Sequence, residues 1–83
     1  MENKDIEITK SFEIKEHYMN LPKWSRFHLI AGTDTKTIES NEILMTNSEI
    51  KFDDKFYNIV STYVELLENG NIIYHHHCNL IRS

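Results

Sequence analysis

Apolar and polar residues alternate with period two over much of this chain, the pattern of half-buried β-strands. Between Asp5 and Ile14, the even positions carry Ile6, Ile8, Phe12 and Ile14, while the odd ones carry Glu7, Thr9, Ser11 and Glu13. The alternation then lapses. Ile14, Tyr18 and Leu21 fall at helical spacing and Pro22 stops any helix, so one or two helical turns are predicted over Lys15 to Leu21. Phe27 to Ala31 reads as a strand with Phe27, Leu29 and Ala31 on one face, closed by the turn residues Gly32-Thr33-Asp34-Thr35. Another short strand is predicted within Ile38 to Met45, clearest at Ile43-Leu44-Met45, before Asn47-Ser48 punctuates the chain.

The second half carries two hairpin signals. Ile50-Lys51-Phe52 and Phe56 to Val60 flank Asp53-Asp54-Lys55, and Asn58 to Leu67 is joined to Ile72 to Ile81 by Glu68-Asn69-Gly70-Asn71. A two-residue Asn69-Gly70 loop would mix polar and apolar residues on both faces of the last hairpin. A three-residue loop, with Gly70 in the left-handed bulge position, instead pairs Leu66 with Ile72, Val64 with Tyr74, Thr62 with His76 and Val60 with Cys78. This register collects an apolar face, and a one-residue slip would turn every side chain to the wrong side.

Short strands, closely spaced turns and at most one short helix predict a mainly β fold. The expected form is a small antiparallel sheet of five or six strands, closed into a partly open barrel of SH3-like or OB-like form. The alternative is an α+β single sheet with one helix packed on it. With 83 residues, residues 1–83 are expected to form a single small domain, burying about 64% of the unfolded surface. The longest apolar runs span three residues and no apolar leader opens the chain, so no membrane association is expected. Cys78 is the one cysteine, which excludes a disulfide scaffold and points to a cytoplasmic location. A net charge of -4 provides no positive field for phosphate backbones. The two isolated glycines, Gly32 and Gly70, exclude a glycine-rich phosphate loop, and no cofactor is implied.

His75-His76-His77 is divided by strand alternation. His76 points inward with Tyr74, Cys78 and Leu80, and His75 and His77 point together to the opposite face. Histidines at i and i+2 lie roughly 6.5 to 7 Å apart, so a metal site of His75, His77 and Glu65 is conceivable, but no fuller ligand spacing supports it. A solvated polar face on a long edge strand explains the same residues, and no metal is expected. Cys78 beside His76 is weighed as a nucleophile and rejected, because an inward cysteine behaves as a small hydrophobe. Lys23, Trp24, Arg26 and Phe27 are a basic stretch interleaved with aromatics, the residues of a nucleic-acid-binding alternative. With only two formal positives there, closure of the core by Trp24 or Phe27 accounts for them more simply.

Protein contact is the remaining reading. Ile59, Tyr63, Ile73, His75 and His77, with Glu65 beside them, form the expected partner-binding face of the last hairpin. Its acidic residues suit a partner with a basic surface, and a long final strand near an edge could recruit a strand or make a homodimer. The expectation is therefore a non-enzymatic protein-binding module. Small size, acidity and a sequence rich in Ile, Asn and Lys with a single Ala suit a phage- or mobile-element-encoded inhibitor or accessory factor docking on a host macromolecule. Binding through a face with two histidines would vary with pH between about 5.5 and 7.

Overall fold

The computed structural model describes residues 11–17 and 21–83. Six strands follow one another: β1 (Ser11–Glu13), β2 (Lys23–Ala31), β3 (Asp34–Ser40), β4 (Glu49–Phe52), β5 (Lys55–Leu66) and β6 (Ile72–Arg82). They form one sheet in the order β1-β4-β5-β6-β2-β3, curled into a half-barrel. The mainly β, barrel-like class expected from the alternation is observed. The sheet is mixed, since β2 runs parallel to β6 and β1 parallel to β4, and the other pairs are antiparallel.

Local chemistry explains the turns. Asp53 and Asp54 both take positive φ, 55° and 62°, the two left-handed positions of a type I′ hairpin, which Asp tolerates better than most residues. Gly32 (φ 65°) is the first residue of the two-residue turn between β2 and β3, where a type II′ turn favours glycine. Gly70 (φ 92°) closes the β5–β6 loop, in which Leu67 N–H donates to the Asn71 carbonyl at 2.8 Å and Gly70 N–H to the Leu67 carbonyl at 3.0 Å. Leu66 pairs with Ile72, Val64 with Tyr74 and Thr62 with His76, as the three-residue loop predicts.

Beyond His76 the register departs from the expectation. A bulge at Val60 leaves Ile59, not Val60, opposite Cys78. Ile59 is fully buried while Val60 is 44% exposed, so Ile59 belongs to the core and not to the outer face expected to bind a partner. A second irregularity, where Tyr57 faces Leu80 but Phe56 faces Arg82, leaves Ile81 unpaired. Bulges sharpen local twist, and here they bend β5 and β6 around the inner face. That face packs Ile14, Phe27, Leu29, Ile38, Ile50, Tyr57, Ile59 and Cys78 into the core, with Leu44 and Phe52 against them.

Three other expectations change. The strand expected at Ile43-Leu44-Met45 is a connection in which Met45 stands exposed; pairing with β2 instead draws Asp34–Ser40 into β3, with Ile38 and Ser40 turned inward. Of the strand expected over Asp5 to Ile14, residues 5–10 lie outside the described residues and Ser11–Glu13 form β1. Of the helical turns expected over Lys15 to Leu21, residues 18–20 lie outside the described residues; residues 15–17 are not helical and Leu21-Pro22 form a bend. The 14–17 segment instead bridges the sheet's two edges, since Ile14 N–H donates to Lys51 of β4 and His17 N–H to Glu39 of β3, each at 2.9 Å.

Candidate functional site

β6 is an interior strand, flanked by β5 and β2, and not the edge strand expected, and alternation along it gives its two faces different chemistry. On its inner face His76 is fully buried. Its Nδ1 lies 2.9 Å from the Thr62 hydroxyl and its Nε2 3.2 Å from that of Ser25, while the ring rests 4.7 Å from Phe27. Burial, reinforced by His75 and His28, pushes the His76 pKa down to about 4. Burial pushes the Cys78 thiol up to about 12. Both side chains are thus core components with satisfied polar atoms, and the Cys78 thiol is far from the depressed pKa of an activated nucleophile.

The outer face gathers most of the predicted group. Tyr63 of β5 stacks flat on His75, with centroids 4.5 Å apart and planes 5° apart. The parallel pairing of β2 with β6 brings in His28, a residue that sequence reasoning missed. His28 stacks on His75 at 5.1 Å and on His77 at 4.9 Å. A hydrogen-bonded row crosses four strands: Thr37 Oγ1 lies 3.4 Å from His28 Nδ1, His28 Nε2 2.9 Å from His75 Nδ1, and His75 Nε2 2.7 Å from Glu65 Oε1. An ionised carboxylate can only accept, so His75 donates through Nε2 and its Nδ1 accepts from His28 Nε2–H. His28 Nδ1 is then left to accept the Thr37 hydroxyl proton. Burial, then the neighbouring His77, His75 and Arg26, lowers the His28 pKa.

Of the six residues expected to bind a partner, Tyr63, Glu65, His75 and His77 meet on this face. Ile73 shares the face but is buried at the level of Trp24, its partner on β2. Glu65, His75 and His77, the conceivable metal ligands, are committed elsewhere: His75 uses both nitrogens within the row, and His77 packs against His28 and Tyr63. Among the described residues no group of three or more His, Cys, Asp or Glu is placed to hold a metal ion. The stretch Lys23, Trp24, Arg26 and Phe27 does not assemble on one open surface. Phe27 lies in the core and Trp24 is buried on the other face, because alternation along β2 separates them. Arg26 donates through Nε and Nη2 to Glu39 at 3.1 and 2.8 Å. Leu29, Lys36, Phe52, Lys55 and Tyr57 line a cavity of ≈ 130 Å³, below the size of ordinary small-molecule sites.

A further accessible feature lies beside the histidine face, on the edge of β5. β4 pairs with β5 only from Lys55 to Asn58, and Ile59 is bonded by Asn47 and Ser48. Leu67 turns its N–H and C=O toward β6. Bonded and non-bonded pairs alternate in an antiparallel ladder, so Glu65, Tyr63 and Ser61 also bond toward β6. Thr62, Val64 and Leu66 therefore direct both backbone groups away from β6, and on that side no strand among the described residues pairs with them. Their side chains extend the inner face past the core, where Val64 is 56% and Leu66 72% exposed.

No protein-family model, curated protein or solved structure matches this chain.

Proposed function

We propose that this chain is a non-enzymatic protein-binding module that takes an extended segment of a partner as an additional strand along β5. The edge from Thr62 to Leu66, which includes exposed Val64 and Leu66 and which no strand among the described residues covers, carries this reading. Natural sheets blunt or cover such edges, and strand addition uses the ladder hydrogen bonds for affinity and alternate side chains for specificity. The fitting segment has small apolar residues at alternate positions, to cover Val64 and Leu66. Basic residues flanking them would suit Glu65 and Glu68. Tyr63, His75, His77 and Glu65 hold β5 against the rest of the sheet from the other face. An acidic, 9.9 kDa chain of this kind suits an inhibitor or accessory factor acting in the cytoplasm.

The test starts with the partner recovered from source-cell extract and then purified. Binding should slow amide exchange at Thr62, Val64 and Leu66, and Val64→Pro should weaken it more than tenfold. Proline on an edge removes an outward donor without breaking the β5–β6 ladder, so the fold should survive. A purified partner that binds folded Val64→Pro as tightly as the parent overturns the proposal.

A further inference from the structure

The edge of β5 from Thr62 to Leu66, which no strand among the described residues covers, is complementary to itself, and we infer that it pairs with β5 of a second copy, antiparallel about a twofold axis at Val64. This inference rests on the edge being open to strand addition. The open stretch is bounded at one end by the contact of Ile59 with Asn47 and Ser48, and at the other by the turn beginning at Leu67. Within it the residues that direct both backbone groups outward run from Thr62 to Leu66, and their midpoint is Val64. Antiparallel strands exchange paired hydrogen bonds only between residues whose backbone groups face each other. Centring on Val64 is the register that uses every outward group: Thr62 with Leu66 of the second copy, Val64 with its own counterpart, and Leu66 with Thr62. Shifting the axis by one residue in either direction leaves one of these residues without a partner.

The side chains favour the same register. On the inner-face side the two Val64 side chains lie together, each flanked by Leu66 of one copy against Thr62 of the other. This covers the most exposed apolar residues of the edge. On the outer face Glu65 of each copy stands opposite Tyr63 of the other, so no like charges are directly opposed, and each Glu65 carboxylate already accepts from its own His75. Beyond the paired stretch, Glu68 falls at the level of Val60. A C2 interface requires one patch to complement itself, and this edge meets that condition in hydrogen bonding, apolar contact and charge. Pairing joins two six-stranded half-barrels into one continuous sheet, and any other strand partner then competes with the second copy.

Sedimentation equilibrium of the full chain from low micromolar to millimolar concentration tests this, together with amide exchange. The mass should rise from 9.9 kDa toward twice that value, and exchange at Thr62, Val64 and Leu66 should slow in parallel. Val64→Pro and Val64→Lys should both remain monomeric with the parent's circular dichroism; Val64→Lys serves if the proline variant fails to fold. A chain that stays monomeric with fast exchange at these amides overturns self-pairing but leaves the edge open for another partner. Slow exchange in a monomer overturns both readings, because the edge is then covered within the chain. A dimer whose three amides exchange fast, or one that persists in both variants, overturns self-pairing.

Discussion

His76 provides a direct measure of how tightly the inner face excludes water. It is fully buried between Ser25, Thr62 and Phe27. In the neutral ring one nitrogen donates and the other accepts, and the two hydroxyls can meet either tautomer. The hydroxyls would also accept from a protonated ring, so it is mainly loss of hydration that holds the pKa at about 4 against 6.5. A histidine depressed in this way contributes its full stabilisation above the unfolded pKa and loses it as the pH falls toward the folded one. At 1.36 kcal/mol per unit, acidification from about pH 7.5 to about pH 4 removes about 3 kcal/mol. That is a large share of the roughly 4 to 12 kcal/mol expected for a domain of this length. His28, also depressed, adds loss over the same direction. Glu49, held low by hydrogen bonds from Ser11 and then Arg82, adds more as the pH falls through the carboxylate range. A difference measurement isolates His76. Urea unfolding of the parent and of His76→Gln, followed by fluorescence of buried Trp24, should show a stability gap that shrinks by about 3 kcal/mol between those pH values. A constant gap, or an imidazole resonance of His76 that titrates near 6.5, would refute the argument.

Three further outcomes follow from particular contacts. Ile59→Ala should destabilise the fold by about 2 to 5 kcal/mol and Val60→Ala by less than about 0.5 kcal/mol; equal losses in chemical denaturation would mean that Val60 is not the bulged residue. Cys78 should react with a thiol reagent at about pH 8 only as fast as the chain opens, since its thiolate is disfavoured by burial; rapid labelling under native conditions would contradict its place in the core. Replacing Asp53-Asp54 by Asn-Gly supplies the residues a type I′ turn favours at these positive φ angles and should raise stability by about 0.5 to 1 kcal/mol, with a lowered melting temperature as the opposing result.

Much of this fold is written in interactions that span few residues. Period-two alternation marked the strand at Phe27 to Ala31 and both hairpins. Turn chemistry at Asp53-Asp54 and Gly70 set where the chain reverses, and requiring one apolar face selected the pairing of Leu66 with Ile72 and Thr62 with His76. The division of the three histidines, with His76 inside and His75 and His77 outside, follows from the same alternation. These features are local because neighbouring side chains on a strand must point to opposite faces whatever surrounds them.

The tertiary structure decided what depends on distant pairing. A bulge at Val60 cannot be read from alternation, because Val60 and Ile59 are both apolar and either satisfies an inner position; curvature around the core selects Ile59. His28 joins His75 only because β2 lies parallel to β6, 47 residues away, and parallel pairing leaves no signature in a turn. The same pairing places β6 in the interior and separates Trp24 from Phe27. Among the described residues the edge of β5 goes uncovered because β4 ends its pairing at Asn58 while β5 continues to Leu66. The sequence by itself therefore determined the strand at Phe27 to Ala31, the two later hairpins with their turns and the faces of the last hairpin down to His76, but not the extent of β3. Strand order, set by long-range packing of the core, determined that the outer histidines brace the sheet and that no strand among the described residues covers the edge of β5 from Thr62 to Leu66.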